Sequence, residues 1–235
     1  MSLLTIAQGF CQRTQLPVPS SVIGSTNAQV IQLRALLEEE GQELSQRGWW
    51  EALTNEATHT TLAAESQGTI VSIATNGFRA IKEDTLWDRT DKLPIPLIGS
   101  VAWQRVKATV STTPRYRYRL RQGILYFTPT PTAGHTVAFE YLSKNWILGV
   151  DGTTYKELFT LDTDTLLLPE ELLRLGLRWR WKKEHGLEYA EDFRTYESAV
   201  TNALGRDGGK PTLYQDGRAP RVKPGVIVPE YSWDL

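Results

Sequence analysis

The sequence predicts an α+β protein in which helices from both ends of the chain form one helical bundle. A β-rich segment is inserted between them, and an extended C-terminal tail follows. Apolar residues recur at helical spacing up to residue 48 and again from residue 169 to residue 204, whereas the part between them alternates in short β-type runs. A two-helix hairpin alone exposes too much apolar surface, so the two helical ends are expected to pack together.

Four segments follow from this pattern. Residues 1–55 form an N-terminal helical hairpin that supplies half of the bundle, and residues 56–165 form the β-rich insertion. Residues 166–205 form the C-terminal helices of the other half. Residues 206–235 form an extended docking tail.

The first two helices have clear boundaries in the sequence. One apolar face predicts a helix over residues 3–14. Thr26 or Asn27 is expected to cap the second helix, which ends at Gly48. Gly41 is expected to weaken that helix only mildly.

The central segment is rich in threonine, valine, isoleucine and aromatic residues. Its candidate strands cover residues 58–63, 69–74, 78–82, 115–121, 124–128 and 136–142. Gln122-Gly123 predicts a tight hairpin, because glycine supplies the positive φ that such a turn needs. A short helix is expected at about 99–107, with three residues facing inward: Val101, Trp103 and Val106.

The C-terminal helices begin at Pro169, which suits a first helical turn. The run up to Lys183 is apolar on more than one side, which predicts a helix buried among its neighbours. Gly186 breaks it, a second amphipathic helix covers 187–204, and Gly205 is expected to end that helix.

The tail has too little clustered apolar surface to build a core of its own, yet it carries several large apolar side chains. We expect these side chains to dock on another component of an assembly. They are Leu213, Tyr214, Val226, Ile227, Val228, Tyr231 and Trp233.

Composition excludes several classes of protein. A formal net charge of −1 and a pI near 6.3 argue against a dedicated nucleic-acid binder. The single Cys11 permits no internal disulfide and no cysteine metal cage. The N-terminus lacks the features of a signal peptide, and no apolar run is long enough to span a membrane. The expected product is a soluble protein made in a reducing cytoplasm, with no membrane partner.

Catalytic chemistry finds little support in the sequence. The three histidines lie in unrelated contexts and not in a metal-binding spacing, and a solvated helix face explains the densest carboxylates, which are Glu38, Glu39, Glu40 and Glu43. Asp162 and Asp164 are interpreted as turn and cap residues, with a weak cation site left open. The sequence therefore predicts no enzyme, no catalytic residue, no cofactor and no metal.

One strand presents a row of arginines. At the strand period of two, Arg115, Arg117, Arg119 and Arg121 share one face, while Tyr116, Tyr118 and Leu120 share the other. Because the rings of this strand point away from its arginines, a combined stacking and phosphate-binding platform is disfavoured. Subunit contact or plain solvent exposure is favoured over contact with DNA, which remains the alternative.

A second basic cluster lies on the first C-terminal helix, with two tryptophans among its residues. A partner surface and a buried helix with a charged edge are equally good interpretations. The cluster comprises Arg174, Arg178, Arg180, Lys182 and Lys183, together with Trp179 and Trp181.

The order of these elements resembles that of a known family. The stretch LLTIAQGFCQRTQLPVPSSVIGSTNAQVIQLRALLEEEGQELSQRGWWEAL is similar to the opening of the head-to-tail adaptor proteins of tailed bacteriophages, including tail tubular protein A and head-completion proteins. The turn Leu168-Pro169-Glu170-Glu171-Leu172 resembles the one that introduces the family's later helices. The resemblance covers roughly residues 3–55 and 165–205, and the β segment and tail are longer here than in the leaner members.

This resemblance implies a structural protein of the virion neck that is made in the host cytoplasm. It also implies that the apolar tail residues between Leu213 and Trp233 dock on a portal protein or a neighbouring subunit. It implies a homo-oligomeric ring, commonly dodecameric, that lies beneath the portal protein, contacts a downstream tail or nozzle protein and lets double-stranded DNA pass without sequence specificity. The alternatives are another phage neck or tail structural protein and, from the arginine strand, a DNA-binding module.

Overall fold

The computed structural model describes residues 2–108 and 115–207, and its helices lie mainly at the two ends of this region. A short 3₁₀ turn, Glu51–Leu53, follows the second helix. The α-helices are α1 (Leu3–Thr14), α2 (Ala28–Gln46), α3 (Ile70–Ile73), α4 (Ser100–Ala108), α5 (Glu170–Glu184) and α6 (Ala190–Asp207).

The strands lie between α2 and α5 and pair in three sheets. They are β1 (Thr54–Thr60), β2 (Ser66–Thr69), β3 (Phe78–Ile81), β4 (Trp87–Asp88), β5 (Leu93–Pro94), β6 (Arg117–Arg121), β7 (Ile124–Thr128), β8 (Thr136–Ser143), β9 (Ile147–Leu148), β10 (Tyr155–Lys156) and β11 (Thr165–Leu166). One sheet has the order β1-β8-β4-β5, with β3 also on β8, and the others have the orders β2-β7-β6 and β10-β9-β11. This arrangement confirms the predicted α+β class.

The described chain forms two compact units. The first, here called the bundle unit, comprises residues 2–55, 74–80 and 141–207. The second, the sheet unit, comprises residues 56–73, 81–108 and 115–140. Helices from both ends of the sequence therefore belong to one unit, as the apolar patterns predict.

The bundle unit has a continuous apolar core. Leu3, Leu33 and Leu173, from three different helices, are fully buried in it, as is Trp146 from the loop before β9. Asn27 caps α2 by accepting a hydrogen bond from the Gln29 backbone at 2.9 Å. The start of α2 therefore lies where the sequence predicts it.

Several local predictions were wrong. The strand expected over 58–63 is β1 at Thr54–Thr60, and the helix expected from residue 187 begins at Ala190. The expected strand over 69–74 is instead the end of β2 followed by the short helix α3. Val101 on α4 is 86% exposed, and only Trp103 of the three expected inward residues is buried. Helix α6 continues past Gly205 to Asp207, since a helix interior tolerates one glycine at a modest cost.

The hairpin of β6 and β7 is confirmed in detail. Gln122 and Gly123 both have positive φ, 52° and 72°, which is the backbone of a tight two-residue turn. The turn fixes the register, in which Arg121 lies opposite Ile124 and Arg119 lies opposite Tyr126.

Among the described residues, no helix has the length and apolar character needed to cross a lipid bilayer.

Candidate interaction surfaces

Strand β6 places its arginines and its apolar residues on opposite faces. Tyr118 is 4% exposed and lies opposite the buried Phe127, whereas Arg117 and Arg121 are exposed. Burial raises the pKa of Tyr118 to about 12, so its phenol stays neutral inside the sheet unit. The alternation therefore buries the face of β6 that carries Tyr118, and the face that carries the arginines points outward.

Aromatic rings from neighbouring elements lie beneath the arginines. The Arg121 guanidinium carbon is 5.2 Å from the Tyr126 ring centroid, and that of Arg119 is 5.8 Å from the Trp103 ring centroid. Arg119 also donates a hydrogen bond to Ser100 Oγ at 2.9 Å. The rings of β6 itself point away from its arginines, as expected, and the rings near the arginines come from α4 and β7 instead.

The hairpin register is enough to predict that Tyr126 lies near the arginines of β6. A two-residue turn at Gln122-Gly123 requires Tyr126 to lie directly opposite Arg119, on the same face. The position of Trp103 near Arg119 does not follow from the hairpin register, because Trp103 lies on the separate helix α4.

Helix α4 extends the positive surface. Lys107 lies 5.8 Å from the Trp103 ring centroid and forms an ion pair with Glu65. We call the surface formed by Lys107, Arg117, Arg119 and Arg121 the arginine face. Arg115, two residues before β6, is also exposed.

The acidic group of α2 is not a simple solvated face. Glu40 is fully buried and its Oε2 accepts a hydrogen bond from Arg180 Nε at 2.6 Å, while Glu39 and Glu43 pair with the other guanidinium nitrogens. Burial raises the pKa of Glu40 above its ordinary value, although Arg180 opposes this. The expectation of a solvated face was therefore wrong for Glu40, whose partner lies 140 residues away.

The basic cluster of α5 combines a buried part with exposed or half-buried cations, several of which pair within the bundle unit. Trp179 and Trp181 are each 7% exposed, and Arg180 is 5% exposed. Arg178 and Lys182 both pair with Asp192 of α6. Of the two interpretations, the structure supports the buried helix with a charged edge.

Asp162 and Asp164 hold a loop of the bundle unit. Asp162 accepts hydrogen bonds from the Val22 and Ile23 backbones at 2.9 and 2.8 Å, and Asp164 pairs with Lys156 at 2.7 Å. Both carboxylates therefore serve as turn residues that organise backbone.

An Asp–Asp–His group lies in the sheet unit. Side-chain ligand atoms of Asp88, Asp91 and His135 lie within 4.8 Å of one another. Asp88 is 1% exposed, and its oxygens are already engaged: Oδ1 accepts from the Thr90 and Asp91 backbones, and Oδ2 lies 2.9 Å from His135 Nδ1. The hydrogen bond to Asp88 raises the pKa of His135. Because hydrogen bonds account for this group, the arrangement is that of a structural pair.

The expected docking residues of the tail, from Leu213 to Trp233, lie outside the described residues.

Comparison with protein families gives one match that spans most of the chain. The model of the SU10 adaptor protein family matches residues 12–224. The chain belongs to this family. It is a phage adaptor, a structural protein, and membership implies a place in the virion neck beside portal and tail proteins. A comparison with curated proteins finds no match.

Proposed function

We propose that this adaptor forms a homo-oligomeric, dodecameric ring beneath the portal protein. The ring joins the portal to a downstream tail or nozzle protein and lets double-stranded DNA pass through its centre without sequence specificity. In this role the protein is a structural component that needs no catalytic residue and no cofactor.

The observation that carries this proposal is the family match over residues 12–224, which includes α2, the β-rich segment and the helices α5 and α6. The bundle unit supports it as well. Its core is complete within one chain, as in a subunit that folds before it assembles.

The tail is proposed as the portal-docking segment. A segment that orders on binding can wrap a large surface with modest affinity per contact, and a ring repeats each contact so that avidity replaces individual strength. Tyr231 and Trp233 are the proposed anchors, because aromatic residues dominate interface hot spots.

Native mass spectrometry of the purified adaptor, alone and after mixing with portal-loaded capsids, tests the ring. We expect a monomer that becomes a ring only on the portal. A monomer that ignores the portal but assembles on tail intermediates would identify the alternative, another neck or tail structural protein, and would overturn the portal assignment.

The tail assignment has its own test. The double variant Y231A/W233A is expected to reduce portal binding at least about tenfold, since truncation of an aromatic anchor typically costs about 2 kcal/mol or more. The matched control is W49A/Y189A, which removes the same residue types from exposed positions in the bundle unit. Equal binding by the two variants would show that the tail anchors are not Tyr231 and Trp233.

A further inference from the structure

Charge is strongly segregated along this chain. Residues 93–139 contain six arginines and lysines and no aspartate or glutamate, while the other 188 residues contain 20 cations and 27 carboxylates. This segment therefore carries a net positive charge of six, counted from its side chains with histidine neutral, within a nearly neutral protein. Such asymmetry indicates a local polyanion-binding surface, even though the overall pI argues against a dedicated nucleic-acid binder.

In the folded protein, cations of this segment lie together on one surface. Arg117, Arg119 and Arg121 lie on one face of β6 at two-residue intervals, so their attachment points are about 6.6 Å apart along the strand. Lys107 of α4 lies beside the same Trp103 ring as Arg119 and pairs with Glu65. Within residues 2–108 and 115–207, the three arginines of β6 form no ion pair with a carboxylate.

The aromatic rings hold the guanidinium groups in place. The Arg119 guanidinium lies over the Trp103 ring and that of Arg121 lies over the Tyr126 ring, and each guanidinium keeps N–H groups that can donate to an anion. A guanidinium ordered in this way loses less side-chain entropy when it binds an anion. Phosphate oxygens suit these donors, because the guanidinium fork can bind them bidentately.

The same rings indicate which nucleic acid fits. Trp103 is 5% exposed and lies beneath a guanidinium, so its face is not available to stack on a base. A surface for single strands needs exposed rings, whereas a duplex presents only its phosphates to a protein that does not read sequence.

We propose that the arginine face binds the phosphate backbone of double-stranded DNA without sequence preference. The inference rests on the proposed function for the source of that DNA, which is the genome that passes through the ring. Binding itself needs only one subunit.

The test measures the affinity of the purified full-length adaptor for two unrelated 30-base-pair duplexes across a salt series. We expect equal affinities and a steep loss with salt. The variant R117Q/R119Q/R121Q should bind at least about tenfold more weakly at low salt, with a salt slope shallower by about one unit for each phosphate that it no longer neutralises. The variant R117K/R119K/R121K retains the charge and should retain most of the slope.

The matched control is R89Q/K144Q/R194Q, which removes three exposed cations whose surface ion pairs contribute little to stability. It should bind DNA like the natural chain. Near-ultraviolet circular dichroism checks that each variant is folded.

Three results would overturn the proposal: no duplex binding at low salt, binding unchanged in the glutamine variant, or equal loss in the control. If the glutamine variant binds DNA normally but fails to form rings on the portal, the arginine face contacts an acidic surface of a neighbouring subunit instead. If neither the natural chain nor any variant forms rings on the portal, while duplex binding still depends on these arginines, the proposed function is wrong. The proposal that the arginine face binds DNA is then still supported.

Discussion

Arg180 shows how one buried side chain organises the bundle unit. It lies on α5 and contacts Glu39, Glu40 and Glu43 of α2, with Glu40 fully buried. Burial alone would lower the pKa of Arg180, but these carboxylates raise it, so the guanidinium stays charged. A buried ion pair of this kind adds little net stability, but the loss of one partner leaves the other charge buried and unpaired.

The variant R180M is therefore expected to lower the free energy of unfolding by about 3–5 kcal/mol, because Glu40 would be left buried without its partner. Urea denaturation measures this. The double variant R180M/E40Q should recover part of the loss. The control R178M removes a 57%-exposed arginine from the same helix and should cost less than about 1 kcal/mol; a similar cost for both single variants would contradict the argument.

His135 gives the sheet unit a pH dependence with a defined sign. Its hydrogen bond to Asp88 raises its pKa, so the folded state binds more protons than the unfolded chain just above the ordinary histidine pKa. The stabilising effect is fully present below about pH 6.5 and is lost as the pH rises through the raised value. We expect the free energy of unfolding, measured from about pH 5.5 to about pH 8.5, to decrease in this way. The variant H135Q should remove the decrease. The control is H59Q; a decrease that persists in H135Q would rule out this pair as its source.

Among the helices, two glycines have opposite roles. A Cβ added at Gly41 of α2 would collide with the Trp146 ring, whereas one added at Gly9 of α1 would meet no atom within 4 Å. Gly41 thus allows the fully buried Trp146 to pack against α2. The sequence-based expectation treated Gly41 only as a mild weakness in its helix, because propensity says nothing about what lies beside it.

The two glycines form a matched pair of predictions. G9A should stabilise the protein by about 0.5–1 kcal/mol, because alanine favours the helix and reduces the freedom of the unfolded chain. G41A should destabilise it by about 1–3 kcal/mol despite the same propensity gain, because the core is overpacked. Thermal unfolding of both variants checks this, and a gain in G41A would show that Trp146 can move aside.

For the protein as a whole, Cys11 reports on the opening of one unit. It is the only cysteine in the sequence and is 1% exposed in the bundle unit, where burial raises the pKa of its thiol. Thiols react as thiolates, so a buried neutral thiol is protected until its surroundings open.

We expect Cys11 to resist a thiol reagent such as dithionitrobenzoate in the native adaptor and to react completely in denaturant. R180M should speed the reaction, because it weakens the bundle unit. The triple glutamine variant of the arginine face, which lies in the sheet unit, should leave the rate unchanged. Fast reaction in the native protein would mean that the bundle unit opens readily.

The order of amino acids is enough to predict the α+β class, the bundle built from both ends of the chain, the cap of α2 and the β6–β7 hairpin. These features depend on local periods, caps and turn residues, which act within a few positions of one another. The hairpin register also follows locally, since the two-residue turn places Tyr126 opposite Arg119.

Which charged and aromatic residues meet depends on tertiary packing. Nothing near Glu40 marks it as buried, because its partner Arg180 is 140 residues away. Trp103 reaches the arginine face from a different element, and Gly41 matters only because Trp146 packs on it. Local patterns indicate most of the apolar residues that face inward. The neighbour that each buried residue meets depends on how distant segments come together, and that information is spread over the whole chain.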